Sequence, residues 1–262
     1  MMKPFLFYIV FVFIGFQAMA QNSIDSTGFE IQKLAFSIQD NEDPHLRKYK
    51  DSLLTLQLLE TLQAKKSFNF QFDSLQSIRQ IIAPDGKFKI FTWQLALEKE
   101  RYVQKGILQY KTSDTTAQLI SLLDNEYNGS ANNWTGAIYY DIILNEFKDK
   151  KYYTLLGFKP FTNDISQKIM EVLYFENDQP IFGGDFFTYA NDETFPFAPV
   201  SRFILSYKKG SNAVIRFDKT VNTIYLSELT SIHNKLNDKS TLVPTGEEIN
   251  FIWKEGKWVM KP

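Results

Sequence analysis

The stretch from Trp134 to Phe158 constrains this fold more than any other. It runs Trp134-Thr-Gly-Ala-Ile-Tyr-Tyr-Asp-Ile-Ile-Leu144, then the polar Asn145-Glu-Phe-Lys-Asp-Lys150, then Lys151-Tyr-Tyr-Thr-Leu-Leu-Gly-Phe158. Two β-rich runs around a polar connection predict a hairpin. Simple alternation puts Ala137, Tyr139 and Ile143 on one side, with Asp141 among them, and Ile138, Tyr140, Ile142 and Leu144 on the other. Both sides are apolar, and a strand apolar on both faces belongs inside a sheet that is covered twice. A leucine-rich helix upstream is the expected cover on one side and further strands on the other.

That helix is announced by Asp43-Pro44, an N-cap residue followed by proline at the first helical position. It is expected to run to about Lys66. Leu46, Tyr49, Leu53 and Leu56 make one stripe; Leu54, Leu58, Leu59 and Leu62 widen it until the second half is apolar most of the way round. Burial against other elements is the expectation, with docking of a partner helix as the alternative. A shorter amphipathic helix precedes it, from Phe29 to Gln39. Phe68-Asn-Phe-Gln-Phe72 alternates with period two and reads as a short strand or extended segment.

From Ser77 onward the chain is a succession of β runs. Ala83-Pro-Asp-Gly86 predicts a tight turn between two of them. Arg101–Lys111 and Ala117–Leu123 read as strands and Asp124–Asn133 as a polar loop. Lys168–Phe175 and Pro180–Thr188 follow, then a loop at Tyr189–Pro199, then Ser201–Tyr207, Ala213–Phe217 and Asn222–Leu226. Leu229–Gly246 reads as a long polar connection. The last two runs flank Glu255-Gly256, a two-residue turn that sets Trp253 opposite Trp258 and Lys254 opposite Lys257. The fold class is therefore mainly β with an N-terminal helical segment, α+β. The strands form an antiparallel meander, in a sandwich or barrel-like sheet, with a small propeller as the alternative. Residues 1–20 read as a leader, 21–67 as the helical segment and 68–262 as the β domain.

The leader has Lys3, an apolar core from Phe5 to Phe16 and Ala18-Met19-Ala20, an A-x-A cleavage pattern. Cleavage after Ala20 would release a protein to the periplasm or the medium. No later stretch is long and apolar enough to span a bilayer as a helix. The chain has no cysteine, so a lipidated N-terminus, disulfides and thiolate chemistry are all excluded. A net charge of −1 gives no electrostatic reason to bind nucleic acid.

Chemistry is sparsely provided. His45 and His233 are the two histidines, and neither stands at metal-ligand or triad spacing. No metal or cofactor is expected. Gly183-Gly184 reads as a bulge or bend rather than a phosphate loop. Paired carboxylates are the one catalytic device the residues leave open. Asp141, alone in an apolar strand, is the first candidate and Asp185 the second. For binding, exposed aromatic residues would offer a sugar platform, and Trp93, Trp134, Tyr139 and Tyr140 are the candidates; packing in the core is the competing role.

Four segments carry a resemblance: Ala83-Pro-Asp-Gly-Lys-Phe-Lys-Ile-Phe-Thr-Trp93, Asn133-Trp-Thr-Gly-Ala-Ile-Tyr-Tyr140, Tyr152-Tyr-Thr-Leu-Leu-Gly157 and Phe251-Ile-Trp-Lys-Glu-Gly-Lys-Trp258. In this order they resemble an uncharacterised family of secreted proteins from Bacteroidota, over most of the chain from Phe68. The resemblance implies export and no particular activity. Family members often follow the Leu-Leu-Gly run with tryptophan, aspartate and glycine, whereas this chain continues Phe158-Lys159-Pro160. The expected function is a non-enzymatic binding or envelope-interaction module, with an envelope polymer, glycan or protein as partner. A hydrolase of glycans or envelope polymers is the alternative.

Overall fold

The structure, a computed structural model, describes residues 27–39, 41–70, 72, 75–98, 101–123, 134–189 and 201–261. The leader with its cleavage site, the connection at 124–133 and most of the 189–199 loop lie outside the described residues. The chain divides into two compact units: Met1–Ile78 with Gln109–Ile120, and Arg79–Leu108 with Ser121–Pro262.

The first unit holds helix α1 (27–39) and helix α2 (Pro44–Gln63). Asp43 caps α2 as its sequence predicts: the side chain accepts from the His45 backbone N–H at 2.8 Å. Ile31, Ala35 and Ile38 of α1 and Leu54, Leu58 and Leu62 of α2 are buried. Gln109 closes the other end of α2. Its Nε2 donates to the Leu62 carbonyl at 3.0 Å, one of the carbonyls that a helix end leaves unpaired. Two expectations are corrected here. The start of the Phe68–Phe72 segment, expected as a short strand or extended segment, is a 3-10 turn at Ser67–Asn69 entered through Lys66 at φ 65°; Phe70 then turns extended, and Gln71 lies outside the described residues. And α2 is not buried all round: Leu46, Tyr49, Leu53 and Leu56 are exposed.

Fourteen strands are described: β1 (Arg79–Ile82), β2 (Phe88–Glu98), β3 (Arg101–Lys111), β4 (Ala117–Leu123), β5 (Ile138–Phe147), β6 (Lys150–Pro160), β7 (Ile165–Glu176), β8 (Gln179–Phe182), β9 (Phe187–Thr188), β10 (Arg202–Lys208), β11 (Ile215–Asp218), β12 (Thr223–Ser231), β13 (Leu242–Lys254) and β14 (Lys257–Lys261). They form three sheets, none closed into a barrel, in the orders β1-β2-β3-β4, β10-β7-β6-β5 with β8 beside β7, and β11-β12-β13-β14-β9. The β1–β2, β5–β6, β6–β7, β7–β8, β7–β10, β11–β12, β12–β13 and β13–β14 pairings are antiparallel, and the short one between β14 and β9 is parallel. The segment expected to be a long polar connection is strand at both ends: β12 and β13 extend into it and pair, leaving 232–241 to turns and a short 3-10 helix at Lys239–Thr241.

The hairpin of β5 and β6 occupies the interior of the second unit. Side chains alternate cleanly along β6. Tyr152, Leu156 and their neighbours on β7 and β10 (Met170, Val172, Phe203, Leu205) pack with Ile224, Leu226, Phe251 and Trp258 of the third sheet. This is the interior of a two-layer sandwich. On the opposite face, Tyr153 meets Phe88 edge-on at 4.7 Å between ring centres, and the Tyr139 backbone N–H reaches the Thr92 hydroxyl at 3.3 Å. Both covers within this unit are therefore strands.

A bulge changes the parity of β5. Tyr139 pairs with Gly157 and Asp141 with Leu156, so Tyr140 is the extra residue. Ile143 consequently joins the sandwich core while Tyr139 points to the other face. Simple alternation had placed the two together. Gly157 is required where Tyr139 lies across it, because an added Cβ would meet Ala137 Cβ at 2.9 Å and the Tyr139 ring at 3.0 Å.

Candidate functional site

The six residues proposed from the sequence fall in different places. Trp93, Trp134 and Tyr139 are 4%, 1% and 0% exposed, so their rings are enclosed by the fold and offer no face to a ligand. Tyr140 is half-buried and donates its hydroxyl to the Ile215 carbonyl at 2.8 Å, tying the two sheets of the sandwich together. Asp141 is half-buried, and its carboxylate accepts from the Ile142 backbone N–H at 2.9 Å, which satisfies a donor beside the bulge. Asp185 follows Gly183 and Gly184, at φ 84° and 131°, in the bend between β8 and β9, and holds Lys257 at 2.6 Å. Each carboxylate thus has a local partner of its own.

The strongest buried polar cluster centres on a residue that the sequence reading passed over. Glu171 stands in the middle of β7 and is 0% exposed. It accepts from the Tyr139 hydroxyl, which in turn accepts from Trp134 Nε1–H at 2.7 Å. Arg202, on the neighbouring strand, brings its Nε to 3.6 Å from the other carboxylate oxygen. Burial raises the Glu171 carboxyl above its usual 4.5, while Arg202, Tyr139 and Lys159 pull the other way. Burial and the adjacent Glu171 also push the Tyr139 hydroxyl well above its usual 10.0. Lys159 is 5% exposed and donates to the Thr135 carbonyl at 2.8 Å. The cluster ties β5, β6, β7 and β10 into one register, a task that buried, hydrogen-bonded polar groups perform by penalising any slip. Its signal in the sequence was the same as that of Asp141: one carboxylate inside an apolar run, Ile169-Met-Glu-Val-Leu173.

The partly exposed chemistry lies at one end of the sandwich. Three two-residue turns meet there: Lys148-Asp149, Asn177-Asp178 and Glu255-Gly256, each with both residues at positive φ. Between them the rings gather around Tyr152. Its centroid is 5.3 Å from Phe186, 6.0 Å from Tyr174 and 6.0 Å from Trp253. Trp253 packs on the buried Trp258 at 5.4 Å, the cross-strand pair the sequence predicts. Phe147 lies flat over Gly256, where an added Cβ would come within 2.5 Å of the ring. Tyr152, Tyr174, Phe186 and Trp253 are all half-buried, so each keeps an accessible face or edge. Asn145, paired with Tyr152 across the hairpin, is 6% exposed, and its side-chain oxygen has no hydrogen-bond partner. The Lys257–Asp185 pair and Lys148, 5.2 Å over the Phe147 ring, rim the cluster.

Among the described residues no group of three or more metal-ligating side chains comes together, and no helix is long and apolar enough to cross a membrane. No family model, no curated protein and no solved structure matches this chain.

Proposed function

We propose that the protein is an exported, non-enzymatic binding module of the cell envelope, of the Bacteroidota family that its motifs resemble. Its ligand surface is the aromatic end of the sandwich. The observation that carries this reading is the half-buried ring cluster of Tyr152, Tyr174, Phe186 and Trp253. Rings present a negative face to the weakly positive C–H groups of a sugar or of an aliphatic polymer, while their polar tips stay wet. Asp141 and Asp185 are not proposed as a catalytic pair, because each already holds a local partner. Export rests on the leader pattern at 1–20.

Tryptophan fluorescence tests the surface directly. Of the four tryptophans, Trp93, Trp134 and Trp258 are buried, and Trp253 alone is half-buried and reaches solvent, so a ligand at this end should change its emission. Titration with soluble glycans and peptidoglycan fragments is expected to give a saturable change. Replacing Tyr152 by Ala should weaken binding about tenfold, the scale of one lost ring contact. Saturable binding that Tyr152→Ala leaves untouched would move the site elsewhere; no binding to any envelope polymer would sink the reading.

A further inference from the structure

Turns close the sandwich at both ends of β6. Lys148-Asp149 precedes that strand at the aromatic end, and residues 161–164 follow it at the other. Three segments meet at this second end: the β6–β7 turn, Lys208 and Lys209 where β10 finishes, and the connection 232–241 between β12 and β13. The Lys209 backbone N–H donates to the Asp164 carbonyl at 2.8 Å. The connection is folded on itself, with the Lys235 backbone N–H on Ser231 Oγ at 2.8 Å. Asn163, Asp164, Lys208, Lys209 and Ser240 line a cavity of about 290 Å³. Phe161, Ile232 and Leu236, in the same turns, are 44%, 48% and 55% exposed. Lys208, Lys209, Lys235 and Lys239 are exposed too, against Asp164 and Asp238 as the acidic residues of these segments. The Asp238 carboxylate is engaged in its own turn, accepting from the Ser240 backbone N–H at 3.1 Å and hydroxyl at 2.6 Å. This end is therefore positive in a chain whose net charge is −1. Single exposed leucines need no explanation, but large apolar tips interleaved with lysines around a polar recess do.

We infer that this end docks on an anionic phospholipid surface, with Phe161, Ile232 and Leu236 entering the headgroup boundary and Lys208 and Lys209 over lipid phosphate. Apolar tips leave water there, and lysines close to the surface are drawn by its negative potential. Charge decides against a neutral apolar partner, which would strip water from four lysines and return no counter-charge. The recess suits a single headgroup. Its two lysines meet the phosphate, and Asp164 meets the hydroxyl of a glycerol head or the ammonium of an ethanolamine head. The docking is peripheral, since no helix among the described residues is long and apolar enough to cross a membrane. The 11 residues of β6, at about 3.3 Å each, leave the aromatic end roughly 30 Å from the bilayer. The inference uses the export reading, which brings a lipid leaflet within reach, and does not use the aromatic ligand surface.

Co-sedimentation with lipid vesicles tests the docking. The leader is itself apolar, so the chain is used from Gln21 on, the form that cleavage would leave. Binding is expected to vesicles of phosphatidylglycerol and phosphatidylethanolamine. It should weaken in about 0.5 M salt and be lost on phosphatidylcholine alone. Lys208→Gln combined with Lys209→Gln should weaken it at least tenfold, on the scale of roughly fivefold for each lysine near the surface. Leu236→Trp places a reporter at an exposed turn position. Its added emission, taken against the unsubstituted chain, should move to the blue on anionic vesicles as the ring leaves water. Tyr152→Ala, which should weaken glycan binding, is expected to leave vesicle binding unchanged, so failure of either reading is distinguishable from failure of the other. No binding to anionic vesicles, equal binding to neutral ones, indifference to the two lysine substitutions, or no blue shift would each overturn the proposal.

Discussion

Glu171 shows how much one residue can hold. A carboxylate at 0% exposure is expensive in its charged form, and only Tyr139, Arg202 and Lys159 offset that cost. Burial is the largest influence and raises its pKa above the usual 4.5, so the folded state binds a proton over a range where the unfolded chain has released it. The contribution of Glu171 to stability is therefore full below about pH 4.5 and falls as pH rises through its folded value, by at most about 1.4 kcal/mol per pH unit. Glu171→Gln cannot ionise and should lose this decline. Melting temperatures from pH 4 to 8 for both proteins are expected to show different slopes; parallel curves would mean that Glu171 does not titrate in that window. Asp85 behaves in the opposite sense. Burial opposes its charge, but Lys151 and Tyr153, each at 2.9 Å, more than compensate and hold its pKa below the usual 3.8. Its contribution is present above that value and is lost in stronger acid.

At the scale of elements, the hairpins were the most legible part of the chain. Tight turns leave local signatures, and the register Trp253 with Trp258 and Lys254 with Lys257 follows from Glu255-Gly256 alone. The β5–β6 turn is less favourable, because Lys148 and Asp149 both adopt positive φ, 49° and 59°, without glycine. Replacing them with Asn and Gly should relieve that strain and stabilise the protein by about 1 kcal/mol. The check is a higher urea midpoint at unchanged slope. The bulge at Tyr140 was not legible. Nothing in Tyr-Tyr-Asp marks an extra residue; it exists because Tyr139 must reach Glu171 on one face while Ile143 fills the sandwich on the other. The same limit explains the misplaced aromatic candidates. Alternation identifies which residues share a side of a strand, and only packing says whether that side is open.

Over the whole molecule, apolar and aromatic packing holds the fold with no disulfide. The chain has 24 phenylalanines, 13 tyrosines and no cysteine. Among the described residues, nine of the fully buried large side chains are aromatic, Trp134, Trp258, Phe203 and Phe251 included. Melting in the presence of a strong reductant is accordingly expected to match melting without it. A drop would require a covalent cross-link that this composition cannot form.

Composition and periodicity were enough for the class of the fold, the two N-terminal helices, most strands and their turns, because these follow from the local spacing of apolar residues and from backbone preferences at a few positions. They were also enough to exclude thiolate and disulfide chemistry, since the residues are absent. Which faces are sealed was decided only in three dimensions. The β5–β6 hairpin is enclosed by strands on both faces, Leu46, Tyr49, Leu53 and Leu56 of α2 stay exposed, and Tyr152 rather than Tyr139 remains partly accessible. Burial depends on what distant segments bring to the same place, and a bulge of one residue is sufficient to exchange inside for outside.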